Sequence, residues 1–166
     1  MREAISDSST LIHLAGIGRL DLLKEFYGTI LITPAVWREV VEEGKDRYGA
    51  REVEEAHESG WIEVIAPGNK SVIRLLEREL HKGEAETISL AIERHHEVIF
   101  LDESEARRVA EVYGLRKTGV IGILIRAKLE GKVASLREEL DRLRSESGFW
   151  IGDEIYWHAL NAVAEG

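Results

Sequence analysis

The chain has no cysteine, one methionine and two prolines in 166 residues. Without thiols, neither a disulfide framework nor a thiolate metal site is possible. Long apolar runs are missing too. The longest, Val120 to Ile125, stops at Arg126, far short of the roughly 20 residues that span a bilayer, so no membrane partner is expected. No basic stretch followed by an apolar one opens the chain, so no signal peptide is expected and a cytoplasmic protein follows. An excess of positive charge is also lacking. Lys and Arg number 22 against 31 Asp and Glu, a net charge of −9, which argues against gripping nucleic acid through a wide basic face. That balance does not exclude a nuclease, because acids gathered around an ion are neutralised by it.

What is present fits one soluble domain. Apolar residues make up 44% and charged residues 32% of the chain. At this length about 68–70% of the unfolded surface can be buried. Short β-rich runs alternate with helical patterns. Strands are predicted at Glu3–Ser6, Thr29–Ile32, Trp61–Ile65, Glu97–Leu101 and, more briefly, Leu115–Lys117. Between them lie helical patterns over Ser9–Phe26 (one helix, or two broken near Gly16 and Gly18), Thr33–Glu43, Arg47–Ser59, Ser71–Leu80, Gly83–His95, Glu103–Tyr113 and Gly119–Leu129. Thr33 caps its helix and Pro34 takes the first position, where a missing N–H costs nothing. Pro67-Gly68-Asn69 is a turn. Beyond Gly131 the alternation stops, and Ser135–Glu146 and Glu154–Ala164 read as a helical hairpin, Ser135 and Glu138 matching a capping box. This order points to a single α/β domain over 1–166, with a parallel-sheet core over 1–130 and a helical extension over 131–166.

Four acids stand out. Asp7 ends the first apolar run, just before Ser8-Ser9-Thr10 open a helix, and Asp102 ends Val98-Ile99-Phe100-Leu101. Glu84 opens a helix and Glu39 lies inside the helix after strand two. In a doubly wound sheet, strand ends and helix starts share one edge, where ligands bind. Two carboxylates about 4 Å apart repel by roughly 4 kcal/mol at an effective dielectric near 20. A hard divalent ion reverses that sign and takes oxygen ligands. Each acid also has a local account: Asp102 with Glu105 as a capping box, Glu84 facing the helix dipole, Glu39 half exposed, Asp7 accepting from the next helix.

The segments Ile5-Ser6-Asp7-Ser8-Ser9-Thr10-Leu11-Ile12, Thr33-Pro34-Ala35-Val36-Trp37-Arg38-Glu39-Val40 and Gly83-Glu84-Ala85-Glu86-Thr87-Ile88-Ser89-Leu90-Ala91, with Asp102 eighteen residues after Glu84, resemble the acidic blocks of PIN-domain proteins. The resemblance covers about residues 2–130. The Gly-Glu-Ala-Glu block, Asp102-Glu103 with Ala106-Arg107, and the tail are similar to an uncharacterised branch known as predicted nucleic-acid-binding proteins. It implies a three-layer α/β/α fold around a parallel sheet of four to five strands, with a C-terminal helical hairpin. It also implies a Mg²⁺- or Mn²⁺-dependent ribonuclease acting on RNA, many relatives being toxins paired with a protein antitoxin. Asp7, Glu39, Glu84 and Asp102 would then be catalytic, and Asp7, Glu84 and Asp102 the metal ligands. Ser9, Lys82 and Arg107 are the candidate substrate contacts. Two departures stand out: Glu84 replaces the more usual Asp of toxin-type members, and Phe100 replaces a Thr whose hydroxyl would help orient ligands.

Other signals are weaker. His95-His96 point about 100° apart on a helix and cannot easily share an ion. His13, His57, His81 and His158 have no partner at metal-ligand spacing. Ser9 reads as the cap of the first helix, with a bond to Asp7 or its bound water. Gly16-Ile17-Gly18 is not a phosphate loop, no G-x-S-x-G elbow surrounds Ser8, and Asp7-Ser8-Ser9 lacks the second Asp of an Asp-x-Asp phosphatase. Trp150, Tyr156 and Trp157 crowd the C-terminus beside Ile151, Ile155 and Leu160, as core packing or as a surface for a homodimer or another partner. The alternative to a nuclease is a non-catalytic module that binds RNA or protein.

Overall fold

A computed structural model describes residues 3–95 and 98–166. The described residues form a parallel sheet of five short strands: β1 (Ala4–Ser6), β2 (Ile30–Ile32), β3 (Ile62–Val64), β4 (Ile99–Phe100) and β5 (Lys117–Thr118). Their order is β3-β2-β1-β4-β5, and every neighbouring pair is parallel. The chain therefore winds outward from β1 in one direction through β3, then crosses back to place β4 on the other side. The point of reversal lies between β1 and β4, where ligand crevices form in such sheets.

Alternate strand residues face opposite layers, as a strand's two-residue period requires. Ala4, Ile30, Ile32, Ile62 and Phe100 enter one hydrophobic core. That core also holds side chains from α1 (Ser8–Gly16), α2 (Asp21–Tyr27), α3 (Pro34–Trp37), α4 (Ala50–Glu58) and α8 (Val120–Leu129). Ile5, Leu31, Ile99 and Leu101 enter the other, beneath α5 (Lys70–Leu76), α6 (Lys82–Arg94) and α7 (Ser104–Val112). The result is the three-layer α/β/α arrangement that the resemblance implied. The α9 (Leu136–Ser145) and α10 (Asp153–Ala162) pair packs into the first core through Leu136, Leu140, Leu143, Tyr156 and Leu160.

The first helical stretch is two helices broken near Gly16 and Gly18, one of its two readings, with Gly18 in the left-handed region at φ 70°. Several other boundaries differ from the sequence reading. Asp7, not Ser9, caps α1, its carboxylate accepting the Thr10 N–H at 2.9 Å. After α3 the helix widens into a π-turn over Arg38–Glu42. The α5 helix ends at Leu76, short of Leu80, and β5 lies at 117–118 rather than 115–117. Ser135 caps α9 as expected, but Glu165 supplies the carboxylate there, accepting from the Leu136 and Arg137 N–H groups at 2.6 and 3.1 Å. His96 of the His95-His96 pair and Glu97 at the start of the fourth strand lie outside the described residues. Among the described residues, no helix is long and apolar enough to cross a membrane.

Candidate metal centre

Asp7 and Asp102 meet at the point of reversal. The Asp7 N–H donates to the Phe100 carbonyl at 3.1 Å, continuing the β1–β4 ladder by one residue. The Asp102 N–H donates to Asp7 Oδ2 at 3.2 Å, and Asp7 Oδ1 holds the N-terminus of α1. Asp102 is held in turn from two further elements. Thr10 Oγ1 donates to its Oδ2 at 2.8 Å, and the Val120 N–H, opening α8, donates to its Oδ1 at 3.0 Å. Asp102 thus caps α8 and not α7, whose cap position is Glu103. Gly119 sits against it, so close that a methyl group there would overlap Asp102 Oδ1.

Glu39 and Glu84 form a second pair. Glu84, only 5% exposed in the first turn of α6, has Oε1 3.3 Å from His81 Nε2. His81 Nδ1 accepts the Glu84 N–H at 3.5 Å, capping α6. One neutral tautomer, protonated on Nε2, satisfies both contacts. The His81–Glu84 pairing was not anticipated from histidine spacing. Glu84 Oε2 is buried with no hydrogen-bond partner. Glu39, carried on the π-turn, lies against Gly83, where a methyl group would overlap its Oε1. Single π-turns inside helices recur at functional sites. The two pairs adjoin, since the Ser8 hydroxyl lies beside Glu39 and Glu103 lies beside Glu84.

All four acids are held above the ordinary carboxylate range. Burial, then the Asp102 charge, pushes the Asp7 carboxyl up to about 8. Burial raises Asp102, against the pull of Thr10, Val120, His13 and Arg107. Burial also raises Glu39 and Glu84, and in both the nearby His81 opposes it. Among the described residues, no three Asp, Glu or His side chains close tightly enough to share an ion in this arrangement. The structure therefore brings Asp7 to Asp102 and Glu39 to Glu84, without drawing the two pairs into one ligand shell.

The remaining sequence candidates fall around this centre. Arg107 donates to the Leu101 carbonyl at 3.0 Å, which keeps its guanidinium beside Asp102. Lys82 is exposed and borders a cavity of about 280 Å³ at the β2 and β3 ends, with Pro34, Lys70 and Arg74. Ser9 is partly exposed in the first turn of α1, and Thr10 supplies the hydroxyl contact to the acids instead. Phe100 is fully buried, its ring edge-on to Tyr27 at 5.1 Å. It faces the core on the side of α1. Glu86, two residues past Glu84, is also buried and accepts the Ala35 N–H at 3.0 Å, tying α6 to the start of α3. His13 lies near Asp102, bonded to Ser147 at 2.5 Å and edge-on to Phe149 at 4.8 Å.

A parallel sheet with this order, and acidic residues at its reversal point, can be set against known families. A family model described as a PIN domain matches residues 3–165. The chain belongs to the PIN-domain family. The match includes the helical tail, so α9 and α10 fall within this PIN domain's family pattern. PIN domains are typically nucleases and usually use divalent metals. No curated protein matches the chain.

The donor set of this PIN domain fits such an ion. It consists of carboxylate oxygens, the choice of hard cations. A buried carboxylate oxygen without a partner, Glu84 Oε2, is a group that water or an ion ordinarily satisfies.

Proposed function

We propose that this PIN domain is a metal-dependent endoribonuclease that hydrolyses phosphodiester bonds of single-stranded RNA. Asp7, Glu84 and Asp102 would hold Mg²⁺ or Mn²⁺, and Glu39 would complete the site. One observation carries the reading: two adjoining pairs of desolvated carboxylates stand at the reversal point while Glu84 Oε2 stays unpartnered. Burial of adjacent acids is unfavourable unless a cation or protons neutralise them.

When bound, the ion supplies Lewis-acid polarisation of the phosphate and a bound water of lowered pKa. The residues of the chain do the rest. Asp7 and Asp102 are clamped by Thr10 and by the Val120 N–H, so their oxygens are aimed before substrate arrives. Glu39, half-buried on its π-turn and made more basic by that burial, is suited to take the proton of the attacking water. Arg107, beside Asp102, offers a cation to a phosphate oxygen. The products would carry a 5′-phosphate and a 3′-hydroxyl. A role as the toxin of a toxin–antitoxin pair would add a protein antitoxin as partner.

The second reading is a binding module in which the acids serve structure. The capping roles of Asp7 on α1 and Asp102 on α8 favour it. Mn²⁺ titration by calorimetry and a cleavage assay on unstructured RNA separate the two. The nuclease reading expects Mn²⁺ binding and cleavage, both lost in Asp7→Asn. If RNA binds and is never cut, with or without Mn²⁺, the binding module stands instead.

A further inference from the structure

A cleft of about 480 Å³ opens directly from Asp102. The cations Arg107 and Lys117 line it together with Trp150, from the segment before α10, and Ile155 of α10 itself. Gly119 and Gly122 line it too, with Asp102 Oδ1 and Thr118 Oγ1 packed where their methyl groups would stand. Trp150 is 83% exposed, the most exposed large hydrophobic residue described. A tryptophan left in water beside two cations and an acidic centre has no packing role to explain it.

The segment that carries the ring is nevertheless anchored. Its outer edge lies over Gly152, 3.1 Å from where a Cβ would stand there. The segment carrying it is pinned at its start, with Ser147 bonded to His13 and Phe149 edge-on to the same imidazole. Arg144 holds the Ile151 carbonyl at 2.8 Å. The backbone that carries the indole is therefore anchored on both sides, at the cleft that Asp102 also lines.

We infer that this cleft is the subsite for the nucleotide next to the scissile phosphate, with Trp150 as the stacking platform for its base and Lys117 as the contact for its phosphate. This rests on the nuclease reading above and adds residues outside the acidic blocks. The occupant is single-stranded RNA, because a paired base cannot present its face to an indole. Lys117 is suited to the exchange. Its only described ion pair is with Glu111 at 3.7 Å, a solvent-exposed carboxylate that a phosphate can replace. On a chain of net charge −9, two cations focused in one cleft are what would bring a polyanion to that edge.

The test measures affinity and cutting separately. In an Asp7→Asn background, the binding of labelled oligouridine is followed by fluorescence anisotropy. The same backbone carrying abasic sites serves as control. Trp150→Ala is expected to weaken oligouridine binding about 5- to 150-fold, the range of one base stack, while Trp150→Phe keeps most of the affinity. The abasic strand should bind weakly and be indifferent to Trp150→Ala. Lys117→Ala should weaken both strands alike and lower the salt dependence by about 0.7 in log–log slope. Cutting by the unaltered protein tests the nuclease reading independently. Unchanged oligouridine affinity in Trp150→Ala overturns the subsite. So does a fall from dimer to monomer in sedimentation at unchanged RNA affinity, which would make Trp150 part of an interface between copies.

Discussion

The backbone N–H of Asp102 donates to the carboxylate of Asp7 across a separation of 95 residues. This one bond joins the tips of β1 and β4 and sets two acids against each other where the strand order reverses. Both carboxylates are desolvated, and their mutual repulsion is held off by N–H and hydroxyl donors.

A pH dependence follows. The Asp7 carboxyl moves from an ordinary 3.8 to about 8 on folding. Between those values the folded form keeps a proton that the unfolded chain has released. Its contribution to stability is therefore full below the unfolded value and is lost as pH rises toward the folded one. Glu39, Glu84 and Asp102 are shifted in the same sense. In EDTA, the thermal midpoint is expected to fall between about pH 5 and pH 8, with Mn²⁺ restoring it at the upper end. The slope should flatten in Asp7→Asn. Parallel profiles for the two proteins would contradict the assignment.

Gly83→Ala separates stability from activity. Alanine is favoured over glycine within a helix by roughly 0.5–1 kcal/mol. The added methyl, however, occupies the place of Glu39 Oε1 and turns that carboxylate away. We expect a thermal midpoint equal to or above the parent and cleavage reduced about 10- to 100-fold, the scale of a small misplacement in a catalytic group. Full activity in this variant would remove Glu39 from the mechanism.

Thr10→Val keeps the shape of a fully buried side chain and deletes the hydroxyl that donates to Asp102. Leaving that oxygen without its donor should cost about 1–3 kcal/mol in denaturant unfolding. The loss should shrink when Mn²⁺ is present. A variant as stable as the parent would mean that water replaces the hydroxyl at no cost.

The last helices are expected to be indispensable to the core. Leu136, Leu140, Leu143 and Leu160 are fully buried in the same cluster as Ala4 and Ile30. Arg19 reaches from the α1–α2 connection to the buried Glu139 through two bonds of 2.8 and 3.1 Å. Arg19→Ala should lower stability by about 1.5–3 kcal/mol, as for other hydrogen bonds to charged groups. A chain ending at Gly131 should lose its cooperative thermal transition. A sharp transition in that fragment would show instead that 131–166 is an accessory.

Much of the architecture was legible because it is periodic. The unbroken apolar run Ile30-Leu31-Ile32 marks a strand buried on both faces, and the i, i+4, i+7 spacing of Leu136, Leu140 and Leu143 announces which helix face is buried. Asp7 and Asp102 were readable as strand-end acids because Asp102 directly follows an apolar run and Asp7 follows one after Ser6 alone. The seat of Glu39 was not, since no residue pattern marks a π-turn. The Thr10–Asp102 bond joins residues 92 positions apart, and local spacing cannot announce such a contact. His81 is seldom a helix cap and so gave no boundary signal. Gly83 did carry a usable hint: standing beside the Glu84 block, it marks a place where a carboxylate is packed too closely for a methyl.

The pairing of β1 with β4 has a kinetic consequence. Contacts that bridge some 95 residues form late, because the intervening chain must give up its freedom before they return any stabilisation. Partly folded or nascent polypeptides therefore lack the paired aspartates, and on the nuclease reading any cutting begins only once maturation is complete.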